Sequence, residues 1–186
     1  MRKLYKVFLL LIFLSVFDLA NGQDVKLPGL DPSPADIAIL RESRNADPHA
    51  KIIYSRPQKK GRVTIAADNG ALAPFGKLWR TGANETTELI VYKDIKLGGV
   101  DIAAGTYSLY TIPGEKEWTL ILNGKLNTWG HFAYDESQDK YKITGAVKSY
   151  EPAVEAFTIV FGGVSGGKST LYLAWDTTIV EIPVEL

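Results

Sequence analysis

Residues 105–122, GTYSLYTIPGEKEWTLIL, decide the fold class. In the first half Tyr107, Leu109 and Thr111 fall on one side of an extended chain, and Ser108, Tyr110 and Ile112 fall on the other. In the second half Trp118, Leu120 and Leu122 share one side. A helix would space its apolar residues three and four apart, whereas here the repeat is two, the period of a strand. Pro113-Gly114 interrupts the alternation, because proline lacks an amide donor and glycine turns without steric cost. The stretch therefore predicts two strands that are antiparallel neighbours.

The same pattern extends in both directions. Residues 87–92, TELIVY, are β-branched and aromatic, and residues 95–97 and 100–102 flank Gly98-Gly99, the composition of a tight hairpin turn. Further strands are expected at 132–134, 140–147, 156–161, 170–175 and 179–184. Toward the N-terminus, residues 51–55 form a strand stopped by Arg56-Pro57. Residues 58–62 form a charged turn, 63–66 a short strand, and 67–74 an irregular loop. Residues 36–42 read as a strand or a short helix, since periodicity does not decide between them. No helical pattern of about 12 or more residues separates these runs. Many short strands punctuated by glycine and proline predict an all-β fold with little helix, an antiparallel β-sandwich or an open barrel; a two-sheet sandwich is preferred, with the jelly roll as one form it can take.

The first 22 residues carry a different message. Arg2, Lys3 and Lys6 precede an apolar run at 7–17, and Ala20-Asn21-Gly22 supplies small residues where a signal peptidase would cut. The run is about 11 residues, against roughly 20 for a helix that spans a bilayer, so a cleaved secretory signal is expected. The mature chain would begin at Gln23, pass through an extended arm at 23–35 rich in proline and glycine, and continue as a single domain over 36–186. Export to the periplasm or the medium follows, with no membrane span after cleavage. The chain contains no cysteine, so a lipoprotein anchor, disulfides and thiol chemistry are not expected.

Charge argues in the same direction. Basic and acidic side chains number 21 each, and removing residues 1–22 leaves 18 basic against 20 acidic. A slightly acidic surface with no lysine or arginine stripe gives no reason to expect a nucleic-acid partner.

Residues 162–169, GGVSGGKS, match the phosphate-loop pattern GxxxxGK[ST] letter for letter. That loop works through the amides of a helix that begins directly after its lysine, and here an alternating strand follows. A glycine-rich hairpin turn is the better reading. His49 and His131 are the two histidines, without HxH or HExxH spacing. His131 with Asp135 and Glu136 offers nitrogen and oxygen ligands from one loop, though a solvated acidic turn explains the same residues, and neither a metal nor a cofactor is expected. No GxSxG elbow occurs. Glu85, Asp135, Glu136 and Asp176 are candidates for a carboxylate pair of the glycosidase kind, whose spacing only a structure supplies. Trp118 and Trp175 lie in alternating strands and read as core. Trp79 and Trp129 stand beside glycines in loops, where a ring either stacks on a ligand or caps the core.

One cluster attracts most of the polar chemistry: residues 75–88, FGKLWRTGANETTE, which put Trp79, Arg80, Asn84 and Glu85 close together. This run, with IIYSRPQKKGR (52–62), AGTYSLYTIPGEKEWTLILN (104–123), TWGHFAYDESQD (128–139) and LYLAWDTTIVEIPV (171–184), resembles the bacterial domain of unknown function family 2911. The resemblance covers nearly the whole mature chain. It implies an exported protein of Gram-negative bacteria with a β-rich domain, and it implies no activity, substrate or cofactor. Residues 63–70, VTIAADNG, depart from the segment the family would place there.

Two readings of the cluster remain open. In one, Arg56 or Arg80 pairs with Glu85 in a buried corner, Gly82 supplies a positive-φ turn, and Asn84 bonds to backbone. In the other, Arg56, Trp79, Arg80, Asn84, Glu85 and Trp129 form a binding site for a small polar ligand or a glycan. The corresponding function is a non-catalytic binding or interaction module. The alternatives are a hydrolase that uses loop carboxylates on a glycan-type substrate, and a structural envelope component with an envelope protein as its partner.

Overall fold

The computed structural model describes residues 25–67 and 69–186; the expected signal segment lies outside them. Residues 25–30 carry no regular secondary structure. From Asp31 onward the chain is built of strands. In order these are β1 (Ala35–Leu40), β2 (Ala50–Ser55), β3 (Ile65–Ala66), β4 (Ala73–Pro74), β5 (Thr87–Val91), β6 (Ile95–Leu97), β7 (Val100–Ile102), β8 (Gly105–Ile112), β9 (Glu117–Asn123), β10 (Asp139–Phe161) and β11 (Lys168–Glu185). Among the described residues there is one 3-10 turn, Glu136–Gln138, capped by Asp135.

Nine strands form one antiparallel sheet in the order β1-β2-β5-β8-β9-β10-β11-β6-β7, and β3 and β4 form a two-stranded parallel ladder. The fold is all-β, as the alternation predicts. β8 and β9 are antiparallel neighbours, with Leu109 opposite Leu122 and Thr111 opposite Leu120. The β6–β7 hairpin turns on Gly98 and Gly99, whose φ of 57° and 84° suits a primed turn. Gly98 is required there twice over, because a Cβ would also stand 2.4 Å from Ile143.

A single sheet becomes two layers because its longest strands bend. β10 pairs with β9 through residues 139–146 and with the first half of β11 through 158–161. Between the register Ser149–Thr178 and the register Thr158–Ala174, β10 advances nine residues while β11 advances four. The surplus residues bulge outward and turn both strands. Asp176 sits at the inside of this turn with φ 53°. Its effect on side-chain direction is visible in burial, since Leu171, Leu173 and Trp175 point inward before it and Val180, Ile182 and Val184 after it. The inward set changes from odd to even positions across one residue.

This bend corrects the expected strand list. The runs at 140–147 and 156–161 are two halves of β10, and those at 170–175 and 179–184 are two halves of β11. Residues 131–133 form a turn and Tyr134 follows without strand pairing, so the strand expected at 132–134 is absent. The segment at 36–42 resolves as strand β1. Residues 165–168 close the β10–β11 hairpin, with Ser165 and Lys168 bonded backbone to backbone and Gly166 and Gly167 at positive φ.

The core lies between the layers. Trp79, Trp118, Phe157 and Trp175 meet there, with Tyr54 at its margin. The opposite face of β8–β9 is covered as well, because residues 124–138 fold over it and place Tyr134 edge-on against Tyr110 at 5.0 Å. Tyr54 joins β2 to the second half of β10, its hydroxyl donating to the Ile159 carbonyl at 3.1 Å and accepting from the Ile159 amide at 3.0 Å. Burial pushes the ionisation of this hydroxyl upward, which keeps it a neutral donor and acceptor.

Tyr54→Phe removes that clamp and leaves both Ile159 backbone groups without their partner. The expected loss is about 1–3 kcal/mol in urea unfolding, and an unchanged midpoint would show that the two strands are held by other contacts.

Candidate functional site

The loop after β4 is tied at both ends before it presents any side chain. Trp79 and Thr111 exchange backbone hydrogen bonds of 2.8 and 2.9 Å, which anchors the loop to β8. The buried Thr81 hydroxyl donates to that of Thr111, and the Thr87 hydroxyl donates to the Thr81 carbonyl. Thr81 and Asn84 take positive φ, both 58°. Gly82 does not, so the expected positive-φ role is corrected: glycine is needed because a Cβ would lie 2.8 Å from the Ser55 carbonyl oxygen. A second loop closes on the first. Asn84 accepts from the Gly130 amide, Thr86 donates its amide to the Thr128 carbonyl, and its hydroxyl contacts the Thr128 hydroxyl and the Gly130 carbonyl.

The six residues expected to share a site are divided among three places. Arg56 is a structural tie. It donates to the Phe157 carbonyl at 3.1 Å, to the Thr158 hydroxyl at 2.8 Å and to Asp36 at 3.0 Å, joining β1, β2 and β10. Its carboxylate partner is therefore Asp36, and the expected pairing with Glu85 is not formed. Trp79 is 5% exposed and lies flat on Trp175, with centroids 5.7 Å apart and planes at 10°. Glu85 and the exposed Trp129 line a small cavity of about 200 Å³ together with Glu88 and Thr128. Arg80 and Asn84 open into a different and larger one.

That larger cavity, about 460 Å³, falls within the usual range of small-molecule sites. Its inner wall is Trp79 and Trp175, its sides are Leu72, Pro74 and Leu78, and its polar groups include Arg62, Lys77, Arg80, Asn84 and His131. Asn84 donates its side-chain amide to Asp31 at 3.1 Å, a side-chain partner where a backbone one was expected. Arg62 is held by the carbonyls of Gln58 and Lys59. Arg80 is different. Its Nε is enclosed and has no hydrogen-bond partner, and its guanidinium makes no ion pair among the described residues. Burial lowers its pKa from the ordinary arginine value, as expected of a cation withdrawn from water without compensation. Nδ1 of His131 is enclosed and unpartnered in the same way.

Neither Arg62, Lys77 nor His131 was among the expected binding residues. Arg62 lies eighteen positions before Arg80 and His131 fifty-one after it, and only the folded sheet brings them to one wall. Lys77 is the nearest of them in sequence, two residues before Trp79 in the bend that follows β4.

The carboxylate candidates do not gather around this cavity. Asp176 is paired with Lys59 at 2.5 Å. Asp135 accepts from the amide and hydroxyl of Ser137, which hold its carboxyl below the usual range. Glu136 is paired with Lys142. Among the described residues no three of histidine, aspartate and glutamate come together in a metal-binding group.

The model of a protein family of unknown function, DUF2911, matches residues 36–184. No curated protein and no solved structure matches the chain.

The two arginines should separate on substitution. Arg56→Ala is expected to cost about 1.5–3 kcal/mol, because three partners on other strands lose a charged donor. Arg80→Gln should stay within about 0.5 kcal/mol of the parent or exceed it, since it removes a cation that nothing compensates. Chemical denaturation of both variants checks this, and an Arg80→Gln loss as large as that of Arg56→Ala would make Arg80 a structural tie too.

Proposed function

We propose that this chain, which belongs to the DUF2911 family, is an exported, non-catalytic binding module that takes a small polar ligand or a glycan unit in the cavity beneath Arg80. The observation that carries the reading is the state of Arg80, a half-buried guanidinium in a cavity wall with an enclosed Nε and no acceptor. An arginine that serves only the fold is expected to look like Arg56, with its donors satisfied by carbonyl, hydroxyl and carboxylate. The loops around the cavity support the same reading. They are fixed to β8 and to each other by backbone and threonine hydrogen bonds, so the side chains are already positioned before a ligand arrives.

The non-catalytic part of the reading rests on the carboxylates. Asp135, Glu136 and Asp176 have local partners, and Glu85 faces the smaller cavity with Glu88. A general acid and its partner need to line the cavity that holds the substrate, and no aspartate or glutamate is among the residues that line the Arg80 cavity. The export part rests on residues 1–22, with the periplasm or the medium as destination.

Thermal-shift screening of the purified mature chain against sugars, amino acids and small organic acids at millimolar concentration tests the binding reading. Ligands should raise the melting temperature of the parent and of Trp129→Ala, and the rise should disappear in Arg80→Gln. A screen with no stabilising compound overturns the proposal, as does a stabilisation that survives in Arg80→Gln and vanishes in Trp129→Ala. For export, mass spectrometry of the periplasmic and medium fractions should find a chain starting at Gln23, and a cytoplasmic chain that retains residues 1–22 would refute it.

A further inference from the structure

We infer that the ligand of the Arg80 cavity is an organic carboxylate, an acid group attached to an apolar or ring-shaped body; this rests on the cavity being the binding site. Three cationic side chains, Arg62, Lys77 and Arg80, line it, and among the described residues no aspartate or glutamate does. The whole chain, by contrast, holds equal numbers of basic and acidic residues. Even with the Asp31 carboxylate bonded to Asn84, three cations in one wall create a local positive potential, strengthened by the low-dielectric rings behind it. Lys77 adds to it, since its ammonium makes no ion pair among the described residues.

The donors specify more than the sign of the charge. A guanidinium presents a planar fork that matches a carboxylate with two parallel hydrogen bonds. Among the described residues Arg80 makes no ion pair, and its Nε has no hydrogen-bond partner. The side chain reaches toward the second loop, where Nη1 would lie 3.7 Å from a Cβ on Gly130. His131 follows directly and lines the same wall, with its Nδ1 enclosed. An anion seated in the cavity would give an acceptor to the terminal nitrogens of Arg80.

The rest of the wall sets the body of the ligand. Leu72, Pro74 and Leu78 flank the Trp79–Trp175 stack, so the surface beyond the cations is apolar and aromatic. A free phosphate would leave that surface facing water. A phosphate cradle also draws on successive backbone amides or a helix N-terminus, and no α-helix occurs among the described residues. A carboxylate carried on a ring or hydrocarbon body uses both parts of the cavity, and a sugar acid is the form that a glycan would present.

Isothermal titration of the full mature chain with matched pairs reads the inference directly: benzoate against benzamide, glucuronate against glucose, and inorganic phosphate and phenyl phosphate as separate probes. At least one acid should bind ten-fold or more tightly than its neutral partner. That preference should fall to less than three-fold in Arg80→Gln and be partly kept in Arg80→Lys, while Trp129→Ala leaves it unchanged. Equal binding of acid and neutral partners, abolished together in Arg80→Gln, would overturn the carboxylate inference while leaving the cavity as the binding site. Binding of phosphate or phenyl phosphate in preference to both carboxylates would also overturn it. Acid binding that persists undiminished in Arg80→Gln would remove both the inference and the site.

Discussion

The stacking of Trp79 on Trp175 is the contact on which the rest of the site depends. One ring comes from a loop that follows a two-residue strand, the other from the middle of the long bent strand β11, and Phe157 of β10 closes against both at 4.9 and 5.9 Å. Aromatic rings of this size dominate the energetics of a small core, and edge-on and offset contacts between them add to the area they bury. Because Trp79 is fixed in the interior, the residue after it cannot move away. Arg80 is held at the margin of the core whether or not its charge finds a partner. The position of Arg80 is thus set by packing, and its chemistry by what the surrounding loops leave unsatisfied.

Arg56 and Arg80 show how the same residue type takes opposite roles in one protein. Arg56 stands directly after β2, within reach of the β10 backbone and of Asp36 on β1, and its three donors are taken up by three acceptors. Its contribution is to hold together edges of the sheet that β10 brings near one another by bending. Arg80 has no such set of acceptors: its Nε is unpartnered and it makes no ion pair among the described residues. Burial of a cation without a counter-charge opposes folding, and a fold with ample aromatic packing tolerates that opposition at one position. In proteins generally, unsatisfied groups of this kind cluster at functional sites, where stability is given up for activity.

Much of the architecture was legible in the sequence because strands write their geometry locally. The two-residue alternation of 105–122 and the Gly98-Gly99 turn need no knowledge of the rest of the chain, and the antiparallel β8–β9 pair and the β6–β7 hairpin form where that reading puts them. The bends were not legible, although their signal was present. Inward residues at odd positions through Trp175 and at even positions from Val180 imply one extra residue between them, but the same switch of parity occurs when one strand ends and another begins. Choosing between those needs the partner strand, and β10 supplies it from a distance. Trp79 posed a similar problem. Glycine and arginine beside it suggest a surface loop, and it is Thr111 on β8 that draws its backbone into the sheet.

The cluster at 75–88 was legible as a concentration of chemistry and not as a site, for a reason that concerns side-chain direction. Neighbouring residues in an extended segment face opposite ways, so Trp79 entering the core obliges Arg80 to leave it. Asn84 and Glu85 divide likewise, Asn84 lining the larger cavity and Glu85 the smaller, with a positive-φ residue and a bridge to Trp129 between the two directions. Residues close in sequence are thereby sent to separate surfaces, while Arg62, Arg80 and His131, far apart in sequence, share one. A polar cluster in a strand-rich chain is therefore better read as two half-sites, each completed by residues from other loops. In this protein the half that holds Arg80 is completed by cations and aromatic rings, and the half that holds Glu85 by a second carboxylate and an exposed indole.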